Sequence, residues 1–433
     1  MKISLLNHAC VVIEINEIKL LCDPWLFGTC FEGGWGLRFQ NVAALDQAAS
    51  CTHLWISHFH SDHFHVPTLK ALLKINPEII ILGNNSFNFQ MDDVLQRIGF
   101  KNVISLFERK EITIGKKIGV KRFPTTGIDN MLLIQSDEGV ILNYNDCNLP
   151  CRARENLAKK IGHIDIFLNN FNHAGKLLDF PLPSEDKVKE NLKAYFVNNF
   201  SSFSPKWVIP FASFHYYRAS ESQQQNHSML RVEDLVGLDR RIINLKVGES
   251  VEFNQTLFPK VLPSSIALTS NPIEIEIWHK SIQFEQLQDA AEKFRKNINI
   301  KFLGLTFLLK KLKIYIFDLE KSAVFDMKRG LLLVPMNNSN YHIKAHSESL
   351  YKWFTKPYGT DSFVVGAHFD LLNENTVPIK WQFLFSLLVE NKLDLISLLK
   401  MMFVPSGILF MINRREEITA LLRQGKFNPA EQR

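Results

Sequence analysis

The chain has 433 residues, of which 46% are hydrophobic and 22% charged. That is too apolar for a disordered chain and longer than one hydrophobic core usually organises, so two ordered domains are expected. Fifty Lys and Arg against 44 Asp and Glu leave a formal charge of only +6, too dilute to point to nucleic acid.

The first residues, MKISLLNHACVVIEI, carry one lysine and then an apolar run interrupted by Asn7, His8 and Glu14. No small-residue cleavage site follows, so a strand is expected in place of a signal peptide. Further strands are expected over IKLLCDPW, THLWIS, IIILG, GVKRF, NMLLIQ and GVILNYND, where β-branched runs lie between turn residues. VPTLKALLKINP opens on a proline suited to a helix's first turn, and DDVLQRIG opens on acids and ends at glycine. Alternation of this kind predicts an α/β sandwich over residues 1–262.

A Pro-, Ser-, Thr- and Asn-rich stretch from Pro259 to Pro272 reads as a linker. Residues 263–433 are expected to form a smaller α+β domain. It would open on the alternating strand IEIEIW, continue with the helix QLQDAAEKFRKN and the strands KIYIFDL and GLLLVPM, and end in apolar helices from Trp381 to Ile412. Lys400, Pro405, Ser406 and Gly407 interrupt the apolar run Leu395–Ile412. Two packed segments are therefore expected, not a membrane span. Trp353, Tyr358 and these helices suit core packing, with a homodimer surface or a lid as alternatives.

Cys10, Cys22, Cys30, Cys51, Cys147 and Cys151 are scattered among apolar segments and read as reduced thiols, which predicts a cytoplasmic protein. Their spacing matches neither a Rieske cluster nor a zinc ribbon.

The chemistry concentrates in HFHSDH, which follows the apolar strand THLWIS. Three imidazoles and a carboxylate within six residues predict a metal site: His58 and His60 can share one ion, while Asp62 and His63 point to a neighbouring one. Asp146 ends the strand GVILNYN at a similar junction and is a candidate bridging ligand. His215, in IPFASFHYY, is a candidate terminal ligand. His8 and His65 are candidate substrate-facing or supporting groups. Trp25, Phe27, Phe31 and Trp35 are expected to wall a pocket or pack the first hairpin, with Gly33, Gly34 and Gly36 making that loop mobile. Arg218 reads as a solvated arginine or as a partner for an acidic substrate group.

HFHSDH matches the HxHxDH signature of the metallo-β-lactamase superfamily. LLNHACVVIEI, LLCDPWLFGTCFEGGW, LWISHFHSDHFHVPTLKAL, GVILNYNDCNLP and IPFAS further resemble its CMP-N-acetylneuraminate hydroxylase-like branch. HSESLYKWFTKPYGTDSFVVGAHF is faintly similar to that branch's end region. The resemblance implies an αββα sandwich with metal ligands at His58, His60, Asp62, His63 and Asp146. Where the superfamily usually has a third histidine, this sequence reads FPTTGIDNMLL, so Thr125, Thr126 or Asp129 stands in its place. A carboxylate there would favour iron. That branch carries an N-terminal Rieske domain, whereas this sequence begins at the sandwich, so an oxygenase would draw electrons from a separate electron-transfer protein.

Three functions follow. The first is a hydrolase of an ester, lactone, amide or phosphodiester, using two divalent ions, zinc before iron, to activate water, with Asp62 and His63 catalytic and His8, His65, Trp25 and Trp35 around a small-molecule substrate. The second is a di-iron oxygenase. The third, permitted by the missing imidazole, is a non-catalytic binding module.

Overall fold

The computed structural model describes residues 1–85, 90–125, 127–179, 181–264, 268–275, 278–335, 340–415 and 417–419. Successive side chains that enter opposite cores build its first sheet. In strands Lys2–Asn7, Cys10–Ile15 and Ile18–Cys22, the side chains of Ile3, Leu5, Val11, Ile13, Leu20 and Cys22 enter one core, while Leu6, Cys10, Val12 and Leu21 enter another. Both faces of this sheet are thus covered, so its strands are apolar throughout and do not alternate.

Eight strands make that sheet, in the order 259–262, 250–253, 2–7, 10–15, 18–22, 53–55, 80–83 and 103–105. The last three run parallel to their neighbours. The helices Val66–Ile75 and Met91–Ile98 cover its outer face through Leu69, Leu72 and Leu95. A second sheet of six strands, 111–114, 118–124, 130–136, 139–145, 166–170 and 207–211, packs on the inner face. Helices Cys151–Ile161 and Glu185–Ser201 back it with Leu157, Leu192 and Phe196. The result is the αββα sandwich that the strand pattern predicts.

Beyond it, a five-stranded sheet in the order 330–334, 321–326, 312–316, 343–345 and 370–371 packs with helices Phe284–Lys301, Ser347–Thr355, Gly359–Val365 and Val377–Glu390. Trp353 sits at the centre of that core, stacked on Phe363 with ring centroids 4.9 Å apart.

Three expectations need correction. The stretch read as a linker is partly sheet: Pro259–Leu262 pairs with Ser250–Phe253, and Thr269–Ser270 pairs with Phe39–Gln40. Backbone donors beside an open sheet edge are satisfied by joining it, whatever the composition. Of IEIEIW, the described residues 273–275 and 278 are not strand, and Ile273 and Ile275 are exposed. Nor is the glycine-containing loop held loosely, since Gly34 lies against Gly366 and Gly36 against the Tyr216 ring, both too close to admit a Cβ.

Candidate metal centre

Parallel strands that end together deliver their following loops to one sheet edge, and here that edge gathers the polar residues. His53–Trp55 leads into His58–His63, Ile18–Cys22 into Asp23, and Gly139–Asn145 into Asp146. The backbone is strained where the side chains must be aimed inward: φ is +30° at His8, +45° at Asp23 and +57° at Asn145. Non-glycine residues adopt such angles only where surrounding structure holds them.

Among the described residues, three sets of side chains bring ligand atoms within 4.8 Å of one another: His58, His60 and Asp129; His58, His63 and Asp146; and His8, Asp62 and His63. They share His58 and His63 and so form one continuous array. His58 Nε2 lies 2.9 Å from His60 Nδ1 and 3.6 Å from Asp129 Oδ1. His63 Nε2 lies 3.1 Å from Asp146 Oδ2 and 3.3 Å from Asp62 Oδ2. His8 Nε2 is 3.1 Å from the same Asp62 oxygen.

Behind these groups sits a second layer that sequence reading missed. Asp23 Oδ1 accepts from the Ser57 amide at 2.7 Å and from its hydroxyl at 2.9 Å, while Asp23 Oδ2 accepts from Asn145 Nδ2 at 2.5 Å and lies 3.4 Å from His63 Nδ1. Ser57 Oγ also meets His58 Nδ1 at 2.8 Å. Outer contacts of this kind fix the tautomer and direction of a ligating imidazole. The signal available in the sequence was an aspartate ending a strand in LLCDPW, the same position that singled out Asp146.

The C-terminal region, read as core packing with a homodimer surface or a lid as alternatives, also reaches the site. Asp361 Oδ1, on the Gly359–Val365 helix, lies 3.2 Å from His60 Nε2. Arg414 donates to the Thr125 carbonyl and to both oxygens of Glu108, and the Thr125 amide donates to the Asp129 carbonyl at 2.9 Å. Residues far beyond the sandwich therefore brace two of the candidate ligands. Thr126, one of the three residues considered for the missing histidine, lies outside the described residues.

Charge follows from this packing. Burial opposes ionisation of Asp62, but the imidazoles of His63 and His8 outweigh it and hold the carboxyl well below its usual range. Burial also works against a proton on His63, yet the carboxylates of Asp62, Asp146 and Asp23 push its pKa well up. His60 rises to about 9 because Asp361 overcomes burial. Asp129 rises to about 7, chiefly through burial. His58 is pushed well down by burial and by His63 and His60.

The donor set fits two divalent ions. Imidazole and carboxylate are the right ligand types, and Asp62 Oδ1 and His8 Nδ1 are buried with no hydrogen-bond partner. The opening lies on one side: His58, His63, His8 and Asp62 are buried, whereas the side chains of His60 and Asp129 are each 25% exposed and Asp146 21%.

Six further residues named from sequence have placements of their own. His215 belongs to none of the three sets; its strand pairs with Trp35–Leu37 and stacks the ring on Trp35 at 3.7 Å, beneath His8. His65 is a helix cap, its Nδ1 accepting from the Thr68 amide at 3.3 Å, and burial lowers its pKa to about 4. Trp25 and Trp35 are buried and form the floor under His8, not a pocket wall, and Trp35 Nε1 donates to the Val365 carbonyl at 2.9 Å. His8, read as substrate-facing or supporting, is buried as the partner of Asp62. Arg218 is neither solvated nor turned to the site: it donates to the Gly33 carbonyl at 2.9 Å.

Residues 2–169 match the family model described as a beta-lactamase superfamily domain. The cytidine monophosphate-N-acetylneuraminic acid hydroxylase of Asterias rubens is 33% identical over 205 residues, 45% of this chain and 30% of that protein. Its counterpart from Danio rerio is 29% identical over 237 residues, 49% of this chain and 38% of that protein. The chain thus matches only about a third of the length of these relatives. Among solved structures, the diiron beta-hydroxylase CmlA from Streptomyces venezuelae is similar over 49% of this chain and 44% of its own, with 20% identity and a TM-score of 0.37. The isothiocyanate hydrolase from Delia radicum gut bacteria is similar over 59% of this chain and all of its own, with 14% identity and a TM-score of 0.44.

Proposed function

We propose, from the match of residues 2–169 to the beta-lactamase superfamily domain model, that the protein is an oxygen-dependent hydroxylase with a pair of iron ions. One observation carries the reading. Asp129 joins His58 and His60, so the first ion would meet two imidazoles and one carboxylate. Two histidines and one carboxylate with open positions are the donor set of non-haem iron oxygenases. His8, His63 and Asp62 repeat that composition beside it, and Asp146 lies between. The hydroxylase names of the relatives from Asterias rubens and Danio rerio support the same class of reaction.

Bound iron would supply the redox chemistry that reduces dioxygen with electrons from a separate donor protein. The chain's own groups do the rest. Ser57 and Asp23 hold His58 and His63 in place, and Asp361 engages His60 Nε2 while Nδ1 faces the other ligands. Asp62 stays anionic between two imidazoles. Trp25 and Trp35 close the floor to water, leaving substrate to enter past His60, Asp129 and Asp146.

A metal-dependent hydrolase is the second reading, favoured by the complete His58–His63 motif with Asp62 beside His63. Metal content separates the two. Protein purified without chelators or an immobilised-metal step should hold about two irons per chain and bleach on anaerobic reduction. Stoichiometric zinc with activity in the absence of oxygen would instead establish the hydrolase.

A further inference from the structure

We propose that the helical elbow formed by Leu395–Met402 and Pro405–Asn413 is a docking surface for an anionic lipid membrane. The two helices meet at 104°, and among the described residues no single helix is long and apolar enough to cross a bilayer. A span needs about 20 apolar residues; these helices have eight and nine. Short apolar-faced helices of this length suit a position in the plane of a membrane interface.

Each helix turns one apolar stripe inward and another outward. Met401, Gly407 and Phe410 are buried. Leu398, Leu399 and Met402 repeat at i, i+1 and i+4 on the first helix, Ile408, Leu409 and Ile412 do so on the second, and all six are between 41% and 56% exposed. Phe403, at the joint, is 82% exposed. Seven large apolar side chains in fifteen residues, all facing solvent, mark an interaction surface and not ordinary exposure.

Charge selects the occupant. Between residues 377 and 415 the exposed charges are Lys392, Lys400 and Arg415, with Lys380 half-buried. The acids in that stretch are turned inward: Glu390 accepts the amides of Thr360 and Asp361, and Asp394 caps a helix by accepting the Ser397 amide. Among the described residues 377–415, a two-fold contact with a second copy would bring these lysines together with no exposed acid to pair them. A bilayer carrying phosphatidylserine complements both the apolar tip and the cations. The elbow also leads into Arg414 and so to Thr125, beside the candidate ligand Asp129, which would set the metal site close to the membrane.

The test is sedimentation of the full-length, metal-loaded protein with vesicles of phosphatidylcholine alone or mixed with phosphatidylserine. Wild type should sediment with the mixed vesicles, less so as salt rises. Phe403→Ser with Leu409→Ser should lower the partition coefficient by about tenfold or more, with metal content and melting temperature checked on the same sample. Lys392→Gln with Lys400→Gln should remove the dependence on phosphatidylserine, and provides a second reading if the first variant folds poorly. Wild type left in the supernatant, or equal sedimentation of the variants, would overturn the proposal. So would light scattering that shows a dimer broken by the apolar substitutions. Because the readout is lipid binding, failure leaves the hydroxylase reading untouched.

Discussion

At the scale of single residues, Asp361 is the side chain whose importance is least visible from its sequence neighbours and most visible from its contact. A carboxylate on the far nitrogen of a ligating histidine fixes the ring's direction and raises its basicity, and losing such a partner typically weakens metal binding by about 10- to 100-fold. Asp361→Asn keeps the shape and one hydrogen-bond acceptor at the 3.2 Å contact with His60. It should therefore retain the fold while losing metal to a competing chelator at a concentration roughly tenfold or more below that needed for wild type. Unchanged chelator competition would mean that the contact with His60 does not serve the metal. Asp129 belongs to the same scale: in FPTTGIDNMLL the sequence left three residues open, and Asp129 approaches His58 Nε2 at 3.6 Å.

Helices carry the next level. Glu390 ends the Val377–Glu390 helix and accepts the amides of Thr360 at 2.7 Å and Asp361 at 3.0 Å, joining that helix to the one that bears Asp361. Burial first, and then the Asp361 charge, push its pKa from 4.5 to about 8. The folded protein thus holds a proton there that the unfolded chain releases. Stability from this group is greatest below pH 4.5 and falls as pH rises toward 8. The slope for one proton is at most about 1.4 kcal/mol per pH unit. Urea denaturation between about pH 5 and pH 8 should show this decline in wild type and a flatter profile in Glu390→Gln; parallel profiles would show that Glu390 is ionised throughout.

For the whole molecule, the decisive contact is between the 25–36 loop and the C-terminal region. Trp35 donates to Val365, His368 Nε2 meets the Phe31 carbonyl at 2.8 Å, and Lys352 donates to the Glu32 carbonyl at 3.3 Å. A Cβ at Gly34 would lie 2.6 Å from Gly366 Cα and 2.8 Å from His368 Nε2. Backbone atoms cannot give way as a flexible side-chain end can, so Gly34→Ala should cost about 1–3 kcal/mol or more of stability. Because this seam also positions Asp361, metal retention should fall with it. A variant as stable as wild type in urea would show that the two surfaces do not meet this closely.

Sequence alone determined what depends on local pattern. The sheet strands show as β-branched runs because both sheet faces are buried, and HFHSDH reads as a metal site because four donors follow one buried strand. Asp146 came from the same logic of a strand end. What only the tertiary structure decided was which distant groups converge. Strand pairing stacks His215, a candidate terminal ligand, on Trp35 and leaves it outside the three ligand sets. Asp23, Asp361 and Arg414 looked ordinary until folding carried them to the site, through contacts that span 40, 301 and 289 residues of chain. Hydrophobic periodicity is a property of neighbours along the chain, whereas a ligand set is a property of neighbours in space, and chain order constrains the second only through the packing of the whole molecule.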